Sequence, residues 1–305
     1  MQNIHEFITA VQQVLPPKQV LLQEPMSRHT TFKIGGPADC LIFPASLEDA
    51  VAVFKLIRRY QVPVTVLGNG SNVLVFDKGI RGAVVKFNSP YASVRQEGTH
   101  LFAGAGAALK DISLYAAHCG LTGMEFAVGI PGSIGGAVFM NAGAYDGEIK
   151  TVVESVTAVS LEGEIIRYGR EEIEFGYRHS VFQANNQAIC EVELALSAGE
   201  LTVIEDRMEN LTERRESRQP LEMPSAGSTF KRPEGYFAGT LIEQTGLKGF
   251  KVGGAQISLK HAGFVVNSGG ATAQDVLDLI KEVQNRVYQA HGVKLFPEVR
   301  MLGEQ

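Results

Sequence analysis

The chain lacks the motifs of several large enzyme classes. It contains no GxxxxGK[ST] sequence, which argues against a P-loop nucleotidase, and neither a GxSxG nucleophile elbow nor an HExxH zinc motif. Its three cysteines, Cys40, Cys119 and Cys190, are far apart and have no zinc-ligand spacing. Hydrolase and zinc-protease chemistry therefore have little support, no metal site is predicted, and the thiols are expected to be reduced.

Charge and hydropathy exclude two further kinds of partner. A net charge of −5 and a pI near 5.9 give no basic excess for nucleic acid. No apolar run approaches the ~20 residues that a membrane-spanning helix needs. Residues Met1–Leu15 have the spacing of an amphipathic helix rather than of a signal peptide. We therefore expect a cytoplasmic protein with no nucleic-acid and no membrane partner.

The length of 305 residues allows two or three domains. The hydrophobic pattern predicts a small α/β unit over residues 1–87, a second unit over 88–200 and a third over 201–305. Strands and helices are mixed in the second unit rather than strictly alternating. This mixture favours an α+β fold over a doubly wound sheet.

A glycine-rich stretch, Gly129–Tyr145, is the most unusual part of the chain. It carries five glycines and no charged side chain, and a short helix is predicted from Ile134 to Ala142. Successive backbone N–H groups of such a stretch can form a concave anion site for phosphate, which the start of a helix would reinforce. The alternative is a buried tight turn that needs positive φ at several positions.

Two further glycine loops bear on this interpretation. Leu67–Leu74 lies between two apolar runs, so it joins strand to strand, and Val73 stands where a dinucleotide fingerprint needs its third glycine. The loop Gly104–Leu109 runs from a strand into a helix, but Leu109 takes the place of that glycine. The sequence thus predicts two glycine loops outside the dinucleotide-binding pattern that can hold one diphosphate ligand.

Polar motifs interrupt the predicted secondary structure at four places, and each has a structural alternative. They are Tyr177–Ser180, Gly227–Phe230, Lys248–Asn267 and Phe296–Arg300. The last is expected to lie within a final strand, Leu295–Met301, so that Glu298 sits inside that strand. Arg178 could equally be a structural ion-pair partner, and Ser228 could cap a turn.

Together these motifs resemble the UDP-N-acetylenolpyruvoylglucosamine reductase family, the MurB proteins of bacterial cell-wall synthesis. The resemblance covers about Leu22 to Gly303 and rests on five segments in the family's order. They are Leu67–Asn72, Gly129–Tyr145, Tyr177–Ser180, Gly227–Phe230 and Pro297–Arg300. Because Ser180 is followed within a few residues by the strand near Ala188, the chain resembles the shorter, type II subclass.

The resemblance implies a fold, a cofactor and a reaction. The fold is the FAD-binding fold of vanillyl-alcohol-oxidase type, with two α/β subdomains (1–87 and 88–200) and a C-terminal α+β substrate domain (201–305). The implied activity is that of a UDP-N-acetylmuramate dehydrogenase, in which NADPH reduces FAD and flavin N5 passes a hydride to UDP-N-acetylglucosamine enolpyruvate. The product, UDP-N-acetylmuramate, is a peptidoglycan precursor, and a monomer is expected.

The family's site residues are carried over to matching positions. The implied cofactor-binding residues come from the two glycine segments: Leu67, Gly68, Asn69, Gly70, Ser71, Asn72, Gly129, Ile130, Pro131, Gly132, Ser133, Gly135, Gly136, Asn141, Ala142 and Gly143. The implied catalytic residues are Arg178, Ser228 and Glu298. Tyr177, Lys251, Lys260 and Asn267 are predicted to bind the substrate.

Physical chemistry suits the three catalytic residue types to this reaction. A guanidinium such as that of Arg178 can hold the substrate carboxylate as negative charge develops on it. Glu298 could donate a hydrogen bond to that carboxylate or hold Arg178 in place. Ser228 matches the family's proton donor, and a hydroxyl can serve because its acceptor is a strongly basic carbon.

Two functions of other classes stay open beside this one. The first is an FAD-binding electron-transfer subunit of the same fold, without sugar-nucleotide chemistry. The second is a nucleotide-binding module without enzymatic activity. The set of Arg178, Ser228 and Glu298 counts against both, because neither needs a proton donor.

Overall fold

A computed structural model of the chain describes residues 2–87 and 91–305. The described chain forms two compact units, each assembled from separate segments. Unit 1 comprises Met1–Leu22, Cys40–Asn69 and Gly82–Arg214, and unit 2 comprises Gln23–Asp39, Gly70–Arg81 and Arg215–Gln305. The division of the sequence into 1–87, 88–200 and 201–305 stays a prediction, and its boundary at residue 88 lies outside the described residues.

The α-helices are spread over the whole described chain. They are α1 Gln2–Val14, α2 Leu47–Tyr60, α3 Leu109–His118, α4 Ile134–Met140, α5 Phe182–Asn185, α6 Leu201–Arg218, α7 Ala238–Gln244 and α8 Ala273–His291. Within residues 2–87 and 91–305, every helix is too short or too polar to span a bilayer.

The β-strands are mostly short. They are β1 Val20–Pro25, β2 Pro37–Ile42, β3 Val64–Leu67, β4 Val73–Val75, β5 Ile80–Lys86, β6 Val94–Glu97, β7 His100–Gly104, β8 Leu121–Thr122, β9 Gly143–Ala144, β10 Gly147–Glu148, β11 Val153–Val159, β12 Ile165–Gly169, β13 Ala188–Ala195, β14 Ser197–Ala198, β15 Ser225–Ser228, β16 Lys251–Val252, β17 Ala255–Ile257, β18 Phe264–Asn267 and β19 Arg300–Leu302.

Helix ends follow the capping residues of the sequence. Ser46 begins α2, and its side chain accepts a hydrogen bond from the Asp49 N–H at 3.1 Å. Thr272 and Asp275 form a reciprocal capping box at the start of α8, which ends at Gly292 with φ 68°. Both helix boundaries are thus set by side-chain chemistry that is local in the sequence.

Unit 1 is built on an antiparallel sheet in the order β12-β11-β13-β7-β6 and includes most of a second sheet in the order β1-β2-β5-β3. In the second sheet, β3 runs parallel to β5. The core of unit 1 contains fully buried side chains from helices and strands, such as Phe7, Phe54, Leu101 and Ile112. Each such side chain contributes roughly 1.5–3 kcal/mol by leaving water.

Unit 2 contains an antiparallel sheet in the order β15-β18-β17-β16 and the parallel pair β19-β4. Helices α7 and α8 contribute Ile242, Leu279 and Val283 to a core that also includes Val265 of β18. The N-terminal N–H groups of α8 at Ala273 and Gln274 are taken by the carboxylate of Asp77 at 2.9 and 3.1 Å. The first turn of α8 is thereby tied to the segment that follows β4.

The expectation of one strand over Leu295–Met301 is wrong. Only Arg300–Leu302 forms a strand, and Glu298 lies before it. Pro297 has no N–H to contribute to a ladder, and its single bridge is to Phe230. The Glu298 N–H instead donates to the Thr229 carbonyl at 2.8 Å.

Candidate active site

The glycine-rich stretch is pinned to the loop Gly104–Leu109 in unit 1. The Leu109 N–H donates to the Gly132 carbonyl, and the Ile134 and Gly135 N–H groups donate to carbonyls of that loop, all at 2.9–3.0 Å. A Cβ on Gly135 would lie 2.9 Å from that of Ala105, so only glycine fits there. The loop Gly104–Leu109 therefore packs against the glycine-rich stretch and fixes its backbone through hydrogen bonds.

The first half of the loop Leu67–Asn72 lies against the same stretch. A Cβ on Gly68 would lie 2.5 Å from the Ser133 Oγ and 3.6 Å from the Gly136 Cα. Ser133 is buried and caps α4, accepting from the Gly136 N–H at 3.5 Å. Two segments that are distant in the chain thus bring bare main chain together, as a cradle for a diphosphate requires.

The alternative of a tight turn that needs several positive φ values is not supported. In the described part of this stretch, positive φ is found at Asn141 (41°) and Tyr145 (56°). At Gly135 and Gly143 the close approach of neighbouring atoms explains the missing side chain, since a Cβ on Gly143 would lie 2.8 Å from the Gly147 carbonyl.

The second half of the loop belongs to unit 2. The Gly70 carbonyl accepts from the Thr31 N–H at 3.1 Å, and the Asn72 carbonyl accepts from the Arg300 N–H at 3.0 Å. The Asn72 amide also donates to the Glu298 carbonyl at 3.4 Å. Thr31 further donates its hydroxyl to the Ser225 carbonyl at 2.7 Å, a role that sequence reasoning missed because its partner is 194 residues away.

Asn141, predicted to bind the cofactor, has its amide occupied by protein groups. Its Nδ2 donates to the Glu148 carboxylate at 2.8 Å and to the Gly176 carbonyl at 3.0 Å, and its Oδ1 accepts from the Lys150 N–H at 3.0 Å. The side chain is 3% exposed. Any side-chain contribution of Asn141 to the site therefore acts through the groups that it holds.

Arg178 lies on a tight hairpin in unit 1. Gly176 and His179 pair with each other, and Arg178 between them has φ 53°, a left-handed conformation that is unfavourable for a residue with a Cβ. The Arg178 side chain is half-buried, whereas Tyr177 is 65% exposed. Ser180, fully buried, donates to the Phe139 carbonyl at the end of α4 at 2.9 Å.

Ser228 and Glu298 lie on neighbouring backbones in unit 2. Thr229 joins them, since its carbonyl accepts from the Glu298 N–H and its own N–H donates to the Gly263 carbonyl at 2.9 Å. A bulge separates Ser225 from Ser228 in the pairing of β15 with β18, and Gly227 in the bulge has φ 73°. Because a bulge re-aims the next side chain, Ser228 is exposed while Thr229 is buried.

The predicted substrate ligands of unit 2 have different surroundings. Lys251 is exposed in β16, and the Lys260 Nζ donates to the Glu216 carbonyl at 2.5 Å. The Asn267 amide donates to the Phe32 carbonyl at 3.3 Å and accepts from the N–H groups of Gly269 and Ala271. Lys251 and Lys260 are both exposed, whereas Asn267 is half-buried and is the most engaged in holding backbone.

Burial shifts the pKa of three groups near these elements. It lowers the pKa of His261, whose Nδ1 accepts from the Gly263 N–H at 3.0 Å, so the imidazole carries its proton on Nε2. It also lowers the pKa of the Arg300 guanidinium. In unit 1, burial raises the pKa of the Cys190 thiol to about 12, which makes this cysteine an inert structural residue.

Unit 1 therefore offers bare backbone beside Ser133 and an arginine on a strained hairpin, and unit 2 offers a hydroxyl and a carboxylate on neighbouring backbones. These groups can bind anions, hold a carboxylate and deliver a proton. No group of three metal-ligating side chains occurs within the described ranges.

Two family models match the chain. Residues 38–169 match the model described as "FAD binding domain", and residues 219–302 match "UDP-N-acetylenolpyruvoylglucosamine reductase, C-terminal domain". A mixed α+β fold with an FAD-binding part followed by a C-terminal domain is thereby confirmed.

Individual relatives match over nearly the whole chain. A UDP-N-acetylenolpyruvoylglucosamine reductase of Clostridium perfringens is 50% identical over 303 residues, which is 99% of each chain. The crystal structure of the reductase MurB from Thermus caldophilus superposes with a TM-score of 0.81 at 36% identity, covering 93% of this chain and 98% of the other. The grass pollen allergen Phl p 4 shares only the fold, at a TM-score of 0.52 and 15% identity over 64% of this chain and 44% of the other.

Proposed function

The chain belongs to the UDP-N-acetylenolpyruvoylglucosamine reductase family, and from that membership we propose that it reduces UDP-N-acetylglucosamine enolpyruvate to UDP-N-acetylmuramate with electrons from NADPH. The observation that carries the proposal is the contact of Gly68 with Ser133 and Gly136, two segments that share no sequence neighbourhood. A flavin diphosphate needs such main chain without side chains. The reaction is proposed to take place in the cytoplasm, on a monomer.

FAD, when bound, supplies the hydride that the substrate receives after NADPH has reduced the flavin. We propose that residues 67–72 and 129–136 hold its diphosphate through backbone N–H groups other than those of Ile134, Gly135 and Gly136, which donate to protein acceptors. The cradle residue Ser133 orients the chain there by capping α4. Asn141, Ala142 and Gly143 belong to the same proposal, with Asn141 acting through its hydrogen bonds to Glu148 and Gly176.

The chain's own residues account for the remaining steps. Arg178 binds the substrate carboxylate through two charge-assisted hydrogen bonds, which strengthen as negative charge develops beside it. Ser228 delivers a proton from its hydroxyl to the neighbouring carbon, and its exposure leaves the Oγ open to a substrate. Glu298 is proposed either to donate a hydrogen bond to the carboxylate or to orient Arg178.

Tyr177, Lys251, Lys260 and Asn267 are proposed to contact the sugar nucleotide. Tyr177 supports this best because its ring is largely exposed on the hairpin that carries Arg178. Lys251 offers an accessible ammonium to a diphosphate.

An anaerobic titration tests the proposal. The purified chain should show flavin absorbance, which NADPH should bleach and the enolpyruvyl nucleotide sugar should restore. Restoration by oxygen but not by the sugar nucleotide would instead support an electron-transfer subunit. A colourless chain that takes up no FAD would overturn both readings.

A further inference from the structure

The hairpin that carries Arg178 is held by a glutamine that lies outside the family motifs. The Gln183 Nε2 donates to the Arg178 carbonyl and to the Phe139 carbonyl, both at 2.9 Å. The same nitrogen also lies 3.8 Å from the Met140 Sδ, so its hydrogens serve the hairpin and the end of α4. Gln183 thus connects the hairpin to α4, the helix that follows the proposed cofactor cradle.

The two carbonyls accept from Gln183 for different reasons. Phe139 lies in the last turn of α4, where the final carbonyls have no partner within the helix, and its oxygen accepts from both Gln183 and the Ser180 hydroxyl. Arg178 has φ 53°, and a left-handed residue persists only where its surroundings fix it. One side chain therefore stabilises an unfavourable backbone conformation at Arg178 and sets its position relative to a rigid helix.

A second amide holds the other end of the hairpin. The Asn141 Nδ2 donates to the Gly176 carbonyl at 3.0 Å, and Asn141 forms the left-handed C-cap of α4. The end of α4 is therefore the reference point for both carbonyls of the hairpin. These two contacts fix the backbone from which the Arg178 guanidinium extends.

We propose that Gln183 is a positioning residue for substrate reduction, which fixes the direction of the Arg178 side chain toward the substrate carboxylate. The inference rests on the proposed function, because it needs Arg178 to hold that carboxylate. Gln183 itself touches no substrate. Its contribution is the main-chain conformation of Arg178, and it leaves NADPH oxidation untouched.

Two variants of the full-length holoenzyme test the inference. Gln183→Met keeps the side-chain length without a donor, and in Gln183→Glu a carboxylate replaces the amide donor. Each should slow reoxidation of the reduced flavin by the sugar nucleotide about 10- to 100-fold, the range expected from a misplaced binding group. Reduction by NADPH and flavin content should be unchanged in both.

A matched control comes from the same segment. Gln187 is half-buried, and its Oε1 accepts from the Tyr168 hydroxyl at 2.8 Å, away from the hairpin. Gln187→Met should lose this hydrogen bond from Tyr168 and leave both half-reactions as in the wild type. Equal slowing in Gln187→Met and Gln183→Met would show a general structural effect and overturn the inference.

A double-mutant cycle separates positioning from simple stabilisation. In an Arg178→Ala background the carboxylate partner is absent, so Gln183→Met should cause no further loss in the sugar-nucleotide half-reaction. Losses that multiply, or a loss shared equally by the NADPH half-reaction, would overturn the inference but leave the proposed function standing. Failure of the wild type itself to be reoxidised by the sugar nucleotide would overturn the proposed function and this inference with it.

Discussion

The Arg178 hairpin and strand β15, which ends at Ser228, position their functional side chains by different means. Both include a left-handed backbone position, φ 53° at Arg178 and φ 73° at Gly227. In the strand a glycine takes that conformation, and Ser228 beside it is positioned by main-chain pairing. In the hairpin the functional residue itself takes it and depends on the side chains of Gln183 and Asn141. We infer that the position of Ser228 is the more robust of the two.

The largest effect is expected for Ser228→Ala. Removal of a placed proton donor should slow reoxidation by the sugar nucleotide by about 10² to 10⁴ or more. Reduction by NADPH should stay nearly intact, because the hydroxyl takes no part in it. Stopped-flow absorbance of the two half-reactions measures both. Equal losses in the two would contradict the role of proton donor.

An effect of intermediate size is expected for Thr229→Val, which tests whether a side chain also supports the position of Ser228. The Thr229 hydroxyl accepts from the buried Val265 N–H at 3.0 Å, and valine leaves that N–H without its partner. The free energy of unfolding should fall by about 1–3 kcal/mol. Because the two main-chain hydrogen bonds of Thr229, to Gly263 and from Glu298, remain, the sugar-nucleotide half-reaction should slow less than in Gln183→Met.

Denaturant unfolding and stopped-flow kinetics measure these two quantities. Thr229→Ser keeps the hydroxyl and serves as the matched control, so it should recover most of the stability. If Thr229→Val slowed sugar-nucleotide reduction more than Gln183→Met does, Ser228 would also depend on a side chain. The contrast with Arg178 would then be wrong.

Gly227→Ala tests the glycine of the bulge. A Cβ there would meet nothing within 4 Å, so the cost is conformational alone, about 1–2 kcal/mol of stability. Gly246, with φ 76° and equally open space, provides the control at the end of α7. Both alanine variants should lose similar stability by thermal unfolding, and only Gly227→Ala should slow the sugar-nucleotide half-reaction. Equal activities of the two alanine variants would contradict a role of the bulge in positioning Ser228.

The smallest effect concerns pH. Burial lowers the pKa of His261 in the folded chain, so the unfolded chain binds more protons below the ordinary pKa near 6.5. The contribution of His261 to stability is therefore complete above that value and is lost as the pH falls below it. Unfolding measured from pH 7.5 to 5.5 should show a shallower slope in His261→Asn, which keeps an acceptor for the Gly263 N–H. An unchanged slope would contradict the shift.

Local chemistry in the sequence was sufficient for much of the fold. The helix predicted from Ile134 to Ala142 is α4, Ile134–Met140, and the caps at Ser46 and Thr272 follow from local side-chain chemistry. The strand over Leu295–Met301 was predicted too long, because its apolar alternation concealed the missing N–H of Pro297.

The sequence predicted residues of the candidate site only where they lie in a recognisable motif. The glycines, Arg178 and Ser228 stand in recognisable segments, and their roles stay predictions. Gln183 lies outside these segments, and an isolated glutamine matches many surroundings. Thr229 lies inside one of them, but the segment does not reveal the contact of its hydroxyl with the Val265 N–H. The partners of both residues are set by a hairpin and a bulge, which arise from tertiary pairing rather than from neighbouring residues.

The segmented make-up of unit 2 has a consequence for synthesis on the ribosome. Its pieces 23–39 and 70–81 emerge early, but their partners in 215–305 are translated last. Strand β4 must await β19, and the Asp77 carboxylate must await the first turn of α8. A nascent chain stalled before residue 215 should therefore expose the apolar side chains Phe32, Ile34 and Leu74, and chaperone capture at that stage is the expected outcome.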